Sequence, residues 1–276
     1  MRNEDYYYLK METHFLTVPY QEEKRRVRVL LPKDYQKDTE TYYPVIYFHD
    51  GQNVFHSGEA FSGHSWKVIP AIKRNPELPK MIIVGIDNDG ENRLNEYIPW
   101  RISNTPFPGD IHLGGQGYDY ASFVMEVVVP FINEQYRTKA DKKHTAMIGS
   151  SLGGNISAFM GIEYNNNIGG LGIFSLANWI SEMEFAEYIS GKSIEHDQRI
   201  YIQVGTRESN ETDRHFIYGN MNQAYLDSTL NYTRRLIEKG ILIDNIDLNI
   251  FADGEHTEAA WAEHLPQCLR FLSQDW

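Results

Sequence analysis

Short runs of β-branched and aromatic residues bounded by turn residues recur along this chain, at 26–31, 45–48, 81–86, 145–148, 172–176, 200–204 and 246–251. Between several of them lie segments with helical spacing of apolar residues: 119–136, 152–163, 181–189, 222–239 and 258–272. In the first of these, Phe123, Val127 and Phe131 fall four apart. Strands that are apolar throughout must be covered on both faces, and helices in the connections supply the cover. The alternation predicts an α/β fold, a mostly parallel central sheet with helices on both faces. No shift in composition marks a linker, so 1–276 reads as a single domain. The segment 88–118 is the exception to short connections. It is rich in Gly and Pro with little periodicity, and is expected to be an ordered rim loop at the sheet edge.

Charge narrows the partners. The formal net charge is −12, so the summed field repels phosphate backbones and anionic lipid surfaces, and neither nucleic acid nor a membrane is expected as a partner. No stretch reaches the roughly 20 consecutive apolar residues of a membrane helix. Cys268 is the one cysteine, which leaves no intrachain disulfide, and the first residues lack the apolar run of a secretory signal. A cytoplasmic location is the expectation.

The sharpest local signal is Gly149-Ser150-Ser151-Leu152-Gly153-Gly154, directly after the strand at 145–148 and directly before the helix at 152–163. It fits G-x-S-x-G with Ser151 at the centre. A sharp strand-to-helix turn needs small residues two before and two after the serine, and the turn lifts the hydroxyl to the sheet edge. A helix start there also offers free backbone N–H groups to a developing oxyanion, the N–H of Leu152 first. Ser150, at the variable position of the motif, is read as filler or a cap.

In this topology a catalytic acid and then a histidine follow the serine in chain order. His256, in the turn Asp253-Gly254-Glu255-His256-Thr257 after the last strand, is the candidate base, whereas His264 falls inside the last helix. The candidate acid is Glu208, the first carboxylate after the strand at 200–204, with Asp213 and Glu211 as rivals. Its task would be to hold the imidazole tautomer and stabilise the imidazolium. A second oxyanion donor is expected from the loop after the strand at 45–48, His49-Asp50-Gly51-Gln52-Asn53, where the glycine permits close approach and Gln52 follows it. His49, Asp50 and His56 invite a metal reading, but neither H-E-x-x-H nor paired-cysteine spacing accompanies them, so no metal is expected.

Together with Arg93-Leu94-Asn95-Glu96-Tyr97, Pro99-Trp100, Gly114-Gly115, Pro130-Phe131-Ile132, Tyr136-Arg137-Thr138, His144-Thr145 and Gly254-Glu255-His256 followed by Trp261, these motifs give the chain a family likeness. Over roughly 26–272 it resembles the esterases of the α/β-hydrolase superfamily that include enterochelin esterases, esterase D-like enzymes and feruloyl esterases. The resemblance implies the α/β-hydrolase fold and a serine carboxylesterase with Ser151 as nucleophile, His256 as base, and backbone donors at Gln52 and Leu152. It supports Glu208 as the acid, although many relatives carry Asp in that role. No cofactor is required, and the partner implied is a small-molecule ester. The resemblance also allows a homo-oligomer.

Tyr97, Trp100, Phe107 and Trp179 lie near the expected sheet-edge loops, and could either stack on a sugar or aryl group of the substrate or pack the rim. Three other functions share this sequence pattern: acyl transfer of the kind catalysed by mycolyl transferases, non-catalytic binding on a hydrolase-shaped scaffold, and peptide hydrolysis. The intact serine, histidine and acid set argues against the second, and the lack of room for a large gating domain against the third.

Overall fold

The computed structural model describes residues 10–102, 113–209 and 220–276. The described strands form one sheet of eight in the order β1-β2-β4-β3-β5-β6-β7-β8. They are β1 Met11–Thr17, β2 Lys24–Leu30, β3 Val45–Phe48, β4 Ile82–Ile86, β5 Thr145–Ser150, β6 Gly170–Phe174, β7 Arg199–Arg207 and β8 Ile246–Glu255. β1 and β2 pair antiparallel, as do β2 and β4, while the neighbours from β4 through β3 to β8 are all parallel. The mostly parallel sheet expected from the alternation is therefore present, with the antiparallel pairings confined to one side.

Both faces are buried, which is why the central strands are apolar throughout. Along β3, Val45 and Tyr47 enter one core, and Ile46 and Phe48 enter the other, as the two-residue period requires. The first core is covered by α5 (Leu152–Glu163), α6 (Glu182–Ser190) and α7 (Met221–Glu238), which contribute Ile156 and Phe159, Phe185 and Ile189, and Tyr232 and Leu236. The second is covered by α1 (Val68–Arg74) and α8 (Glu258–Leu272), through Val68, Trp261, Leu265 and Leu269. In α8 every third or fourth residue is buried, as its amphipathic spacing predicts.

The expected helix at 119–136 is real but interrupted. It runs as α3 (Gly117–Ser122), a π-helical turn over Phe123–Val128, and α4 (Val129–Gln135). Pro130, at the start of α4, has no N–H to give to the preceding turn, and the wider turn falls just before it. The described part of the rim at 88–118 is more regular than its composition suggests, since α2 (Arg93–Tyr97) lies within it. Glu96 of α2 is fully buried and is held by Arg25 of β2 through two hydrogen bonds of 3.0 and 2.8 Å, with Tyr20 adding a third at 2.8 Å. A buried ion pair persists only with such two-pronged geometry, and this one fixes α2 against the sheet. Among the described residues no helix is long and apolar enough to cross a membrane.

Candidate active site

At the end of β5 the chain turns into α5 at Ser151, whose backbone has a positive φ outside the left-handed helical region (φ 57°, ψ −124°). A non-glycine residue rarely adopts such a conformation without support. The support is local: the Ser151 N–H donates to the Phe174 carbonyl at 2.9 Å, and its own carbonyl accepts from Asn155 and Ala177. The surrounding glycines are sterically required. A Cβ on Gly149 would stand 2.2 Å from the Gly153 carbonyl oxygen, so the strand and the first turn of the helix cross backbone to backbone. As the first residue of α5, Leu152 has an N–H that no helical carbonyl can accept.

The acid and the histidine arise from the ends of β7 and β8, at the same carboxyl edge of the sheet as Ser151. Glu208 is 1% exposed. Its Oε2 lies 2.7 Å from His256 Nδ1, so the ring proton sits on Nδ1 and Nε2 is left as the free nitrogen. Its Oε1 accepts from the Gly205 N–H at 2.5 Å and from the Ser175 hydroxyl at 2.7 Å. The Ser175 hydroxyl in turn accepts from the Trp261 indole N–H at 2.8 Å. Burying a carboxylate is costly unless its oxygens are satisfied, and here three donors satisfy them. The His256 ring is flanked by Tyr225 at 4.7 Å and by Trp261 at 5.0 Å, the latter edge-on.

The loop after β3 is equally tied down. Asp50 is left-handed at φ 54°, and begins a short helical turn over Gly51–Asn53 that leaves the Gln52 N–H without a helical acceptor. Arg93 grips the Asp50 carboxylate with two bonds of 2.7 and 2.8 Å, and Asn88 Nδ2 adds a third. Burial alone would raise the Asp50 carboxyl, but Arg93 and Asn88 outweigh it and hold it below its ordinary range. The Asn88 N–H donates to Gln52 Oε1 at 3.1 Å. Gly51 approaches β4 so closely that a Cβ would meet the Gly85 carbonyl carbon at 2.6 Å.

His256 and Glu208 are thus in direct contact, and Ser151, Leu152 and Gln52 stand at the same strand edge. Of the rival acids, Glu211 and Asp213 lie outside the described residues, as does Phe107. His264 is stacked on Phe251, away from the Glu208 contact. Tyr97 offers no surface to a substrate and needs correcting as a stacking candidate. It is fully buried, its hydroxyl accepts from the Asp50 N–H at 3.1 Å, and its ring packs against His49 and Tyr120. Trp100 is half-buried against Phe159, Phe185 and Tyr188, whereas Trp179 is half-buried against Tyr225, the neighbour of His256. His49 and Asp50 are occupied with Tyr120 and Arg93, and among the described residues no three His, Cys, Asp or Glu side chains gather as metal ligands. Sequence reasoning missed Ser175, Tyr225 and the pairing of Arg93 with Asp50, although Arg93 and Asp50 each lay within a motif that could have pointed to them.

The sheet order, the strained serine at the β5–α5 turn and the acid–histidine pair after β7 and β8 define an α/β-hydrolase fold. The chain belongs to the Putative esterase family, which it matches over residues 19–272. It is 27% identical over 249 residues to the uncharacterized protein YbbA of Bacillus subtilis (strain 168), covering 90% of this chain and 92% of the relative. Among solved structures it resembles an IroE-like serine hydrolase from Shewanella oneidensis, with a TM-score of 0.74 and 18% identity over 96% of this chain and 81% of the other. It also resembles a ferulic acid esterase, with a TM-score of 0.70 and 20% identity over 97% and 99% of the two chains. The family assignment supports a hydrolase acting on esters.

Proposed function

We propose that this chain is a serine carboxylesterase working through an acyl-enzyme. The observation that carries the reading is the 2.7 Å contact between Glu208 and His256 at the sheet edge that holds the strained, positive-φ Ser151. With the ring proton on Nδ1, His256 Nε2 is the basic nitrogen that takes the Ser151 proton as the hydroxyl attacks the ester carbonyl. Glu208 keeps the tautomer and stabilises the imidazolium. The oxyanion that forms is met by the backbone N–H groups of Leu152 and Gln52, the former with the positive end of the α5 dipole behind it. His256 then returns the proton to the leaving alcohol. In the second half it activates a water that cleaves the acyl-enzyme, and Ser151 is regenerated. Trp179, beside Tyr225, forms one wall for the substrate. Each step uses only groups of this chain and water, so the reading calls for no cofactor.

The test is turnover of short-chain p-nitrophenyl esters by the wild-type chain and by Ser151→Ala, alongside labelling with a fluorophosphonate probe. Hydrolysis and labelling by the wild type, both abolished in a folded Ser151→Ala, are the expected result. A folded wild type that neither turns over esters nor takes the label would overturn the reading.

A further inference from the structure

The two loops that this reading sets on either side of the substrate carbonyl leave the sheet far apart. Residues 49–53 follow β3 and residues 256–258 follow β8, with β5, β6 and β7 between them. Four strand steps of about 4.8 Å put those two strands roughly 19 Å apart. Direct side-chain bonds close the distance. Asn53 Nδ2 donates to Glu258 Oε1 at 3.1 Å, and the Ser62 hydroxyl donates to Glu258 Oε2 at 2.5 Å. The other end of the Asn53 amide, Oδ1, accepts from the Phe61 N–H at 3.0 Å, and the Asn53 carbonyl accepts from the Trp66 N–H at 2.8 Å. Asn53 and Glu258 are each only 8% exposed.

Each end of this bridge lies next to a residue of the proposed chemistry. Asn53 follows Gln52, and Glu258 comes two residues after His256. Glu258 also opens the first turn of α8, behind the Thr257 cap, where the helix dipole favours a carboxylate. Both of its oxygens are used, and a buried carboxylate robbed of either partner would be left unsatisfied, so the bridge forms as a unit. We propose that Glu258 is a positioning residue. By holding Asn53 and Ser62 it sets the spacing between the Gln52 N–H and the His256 imidazole, the two groups that must act at the same time on one ester, the first at its carbonyl oxygen and the second on the proton of the attacking Ser151. This inference rests on the serine-esterase reading above.

The experiment compares Glu258→Ala, Glu258→Gln, Asn53→Ala and the Glu258→Ala/Asn53→Ala double variant in p-nitrophenyl acetate hydrolysis, fluorophosphonate labelling rate and amide hydrogen exchange. Glu258→Ala and Asn53→Ala should each lower kcat about tenfold or more, because an ångström of misplacement in a catalytic group has effects of that size. KM should stay within about twofold. The double variant should be no slower than the slower single one, because both changes cut the same bridge. Glu258→Gln, which still accepts from Asn53, should recover most of the loss. Exchange at 49–53 should quicken in Glu258→Ala, and exchange at 254–258 should quicken in Asn53→Ala. A folded Glu258→Ala with wild-type kcat overturns the proposal, as does a double variant whose loss is the product of the single losses. So does a kcat deficit fully accounted for by a smaller folded fraction in circular dichroism. If the wild type neither hydrolyses the ester nor takes the label, the esterase reading falls separately. The exchange arm then decides the bridge alone, and exchange confined to the mutated loop overturns it.

Discussion

The indole N–H of Trp261 donates to the hydroxyl of Ser175 at 2.8 Å, and the same hydroxyl donates to Glu208 at 2.7 Å. A residue of α8 is thereby connected, through the loop after β6, to the carboxylate that faces His256. Ser175 itself is left-handed, at φ 48°, so its backbone is strained to bring the hydroxyl there. Ser175→Gly suits that backbone and removes the CH2OH group, so the bond to Glu208 is lost without added backbone strain. The loss of about 1.4 kcal/mol of support for the imidazolium would lower kcat about tenfold. Esterase kinetics on the folded variant check this, and an unchanged kcat would show that Glu208 needs no help from Ser175.

Glu208 is expected to tolerate no amide. Glu208→Gln keeps the shape but can present an N–H to His256 Nδ1, which favours the wrong ring tautomer, and kcat should fall by about 10³–10⁴. Glu208→Asp keeps the charge but retracts it by one methylene from a site in which both oxygens are already engaged. A smaller loss is expected there, with the Gly205 N–H and Ser175 contacts the first to break. The ratio of the two kcat values tests whether charge or reach dominates.

Much of this site could be read from the chain because its parts are local. The turn at Ser151 needs small residues at fixed offsets, so the requirement is written in five consecutive positions, and the order of serine, acid and histidine follows from the strand order. Ser175, Tyr225 and the Arg93–Asp50 pair could not be read so, since each acts across elements distant in sequence and no periodicity marks a long-range hydrogen bond. The same holds for parts of the fold. β1 was missed because it is a half-exposed edge strand whose residues mix Glu, His and Thr with the apolar ones. α1 spans only seven residues, too few to display a face. The π-helical turn ahead of Pro130 left the apolar spacing almost unchanged, so a single helix over 119–136 was the natural expectation.

The crossing of Gly149 and Gly153 predicts a stability effect separable from chemistry. Gly149→Ala would drive a methyl against the Gly153 carbonyl and the Ser157 hydroxyl, at 2.2 and 2.9 Å, with no flexible side chain able to yield first. Backbone must move, and a destabilisation of about 3 kcal/mol or more is expected, at the upper end of overpacking effects. Urea unfolding would show it as a lower midpoint at unchanged slope. A midpoint equal to the wild type would mean that the turn is looser than the glycine contacts imply.

His49 should leave a signature in the pH dependence of stability. Burial lowers its pKa from 6.5 to about 4, and its Nδ1 is paired with the Tyr120 hydroxyl at 2.8 Å. As the pH falls below about 6.5 the unfolded chain takes up a proton at this ring, while the folded chain does not until about 4. Through that window the unfolded state binds more protons, so the contribution is complete above it and is lost as the pH drops. One fully buried ring accounts for a change on the order of 3 kcal/mol across the window. Asp50, held below its ordinary range, loses its own contribution only at lower pH, and does so with or without the ring. His49→Gln can still pair with Tyr120 but does not titrate. Urea midpoints measured at pH 7.5 and pH 5 should therefore differ more in the wild type than in His49→Gln, and equal differences would mean that the ring takes up its proton in the folded chain as readily as in the unfolded one.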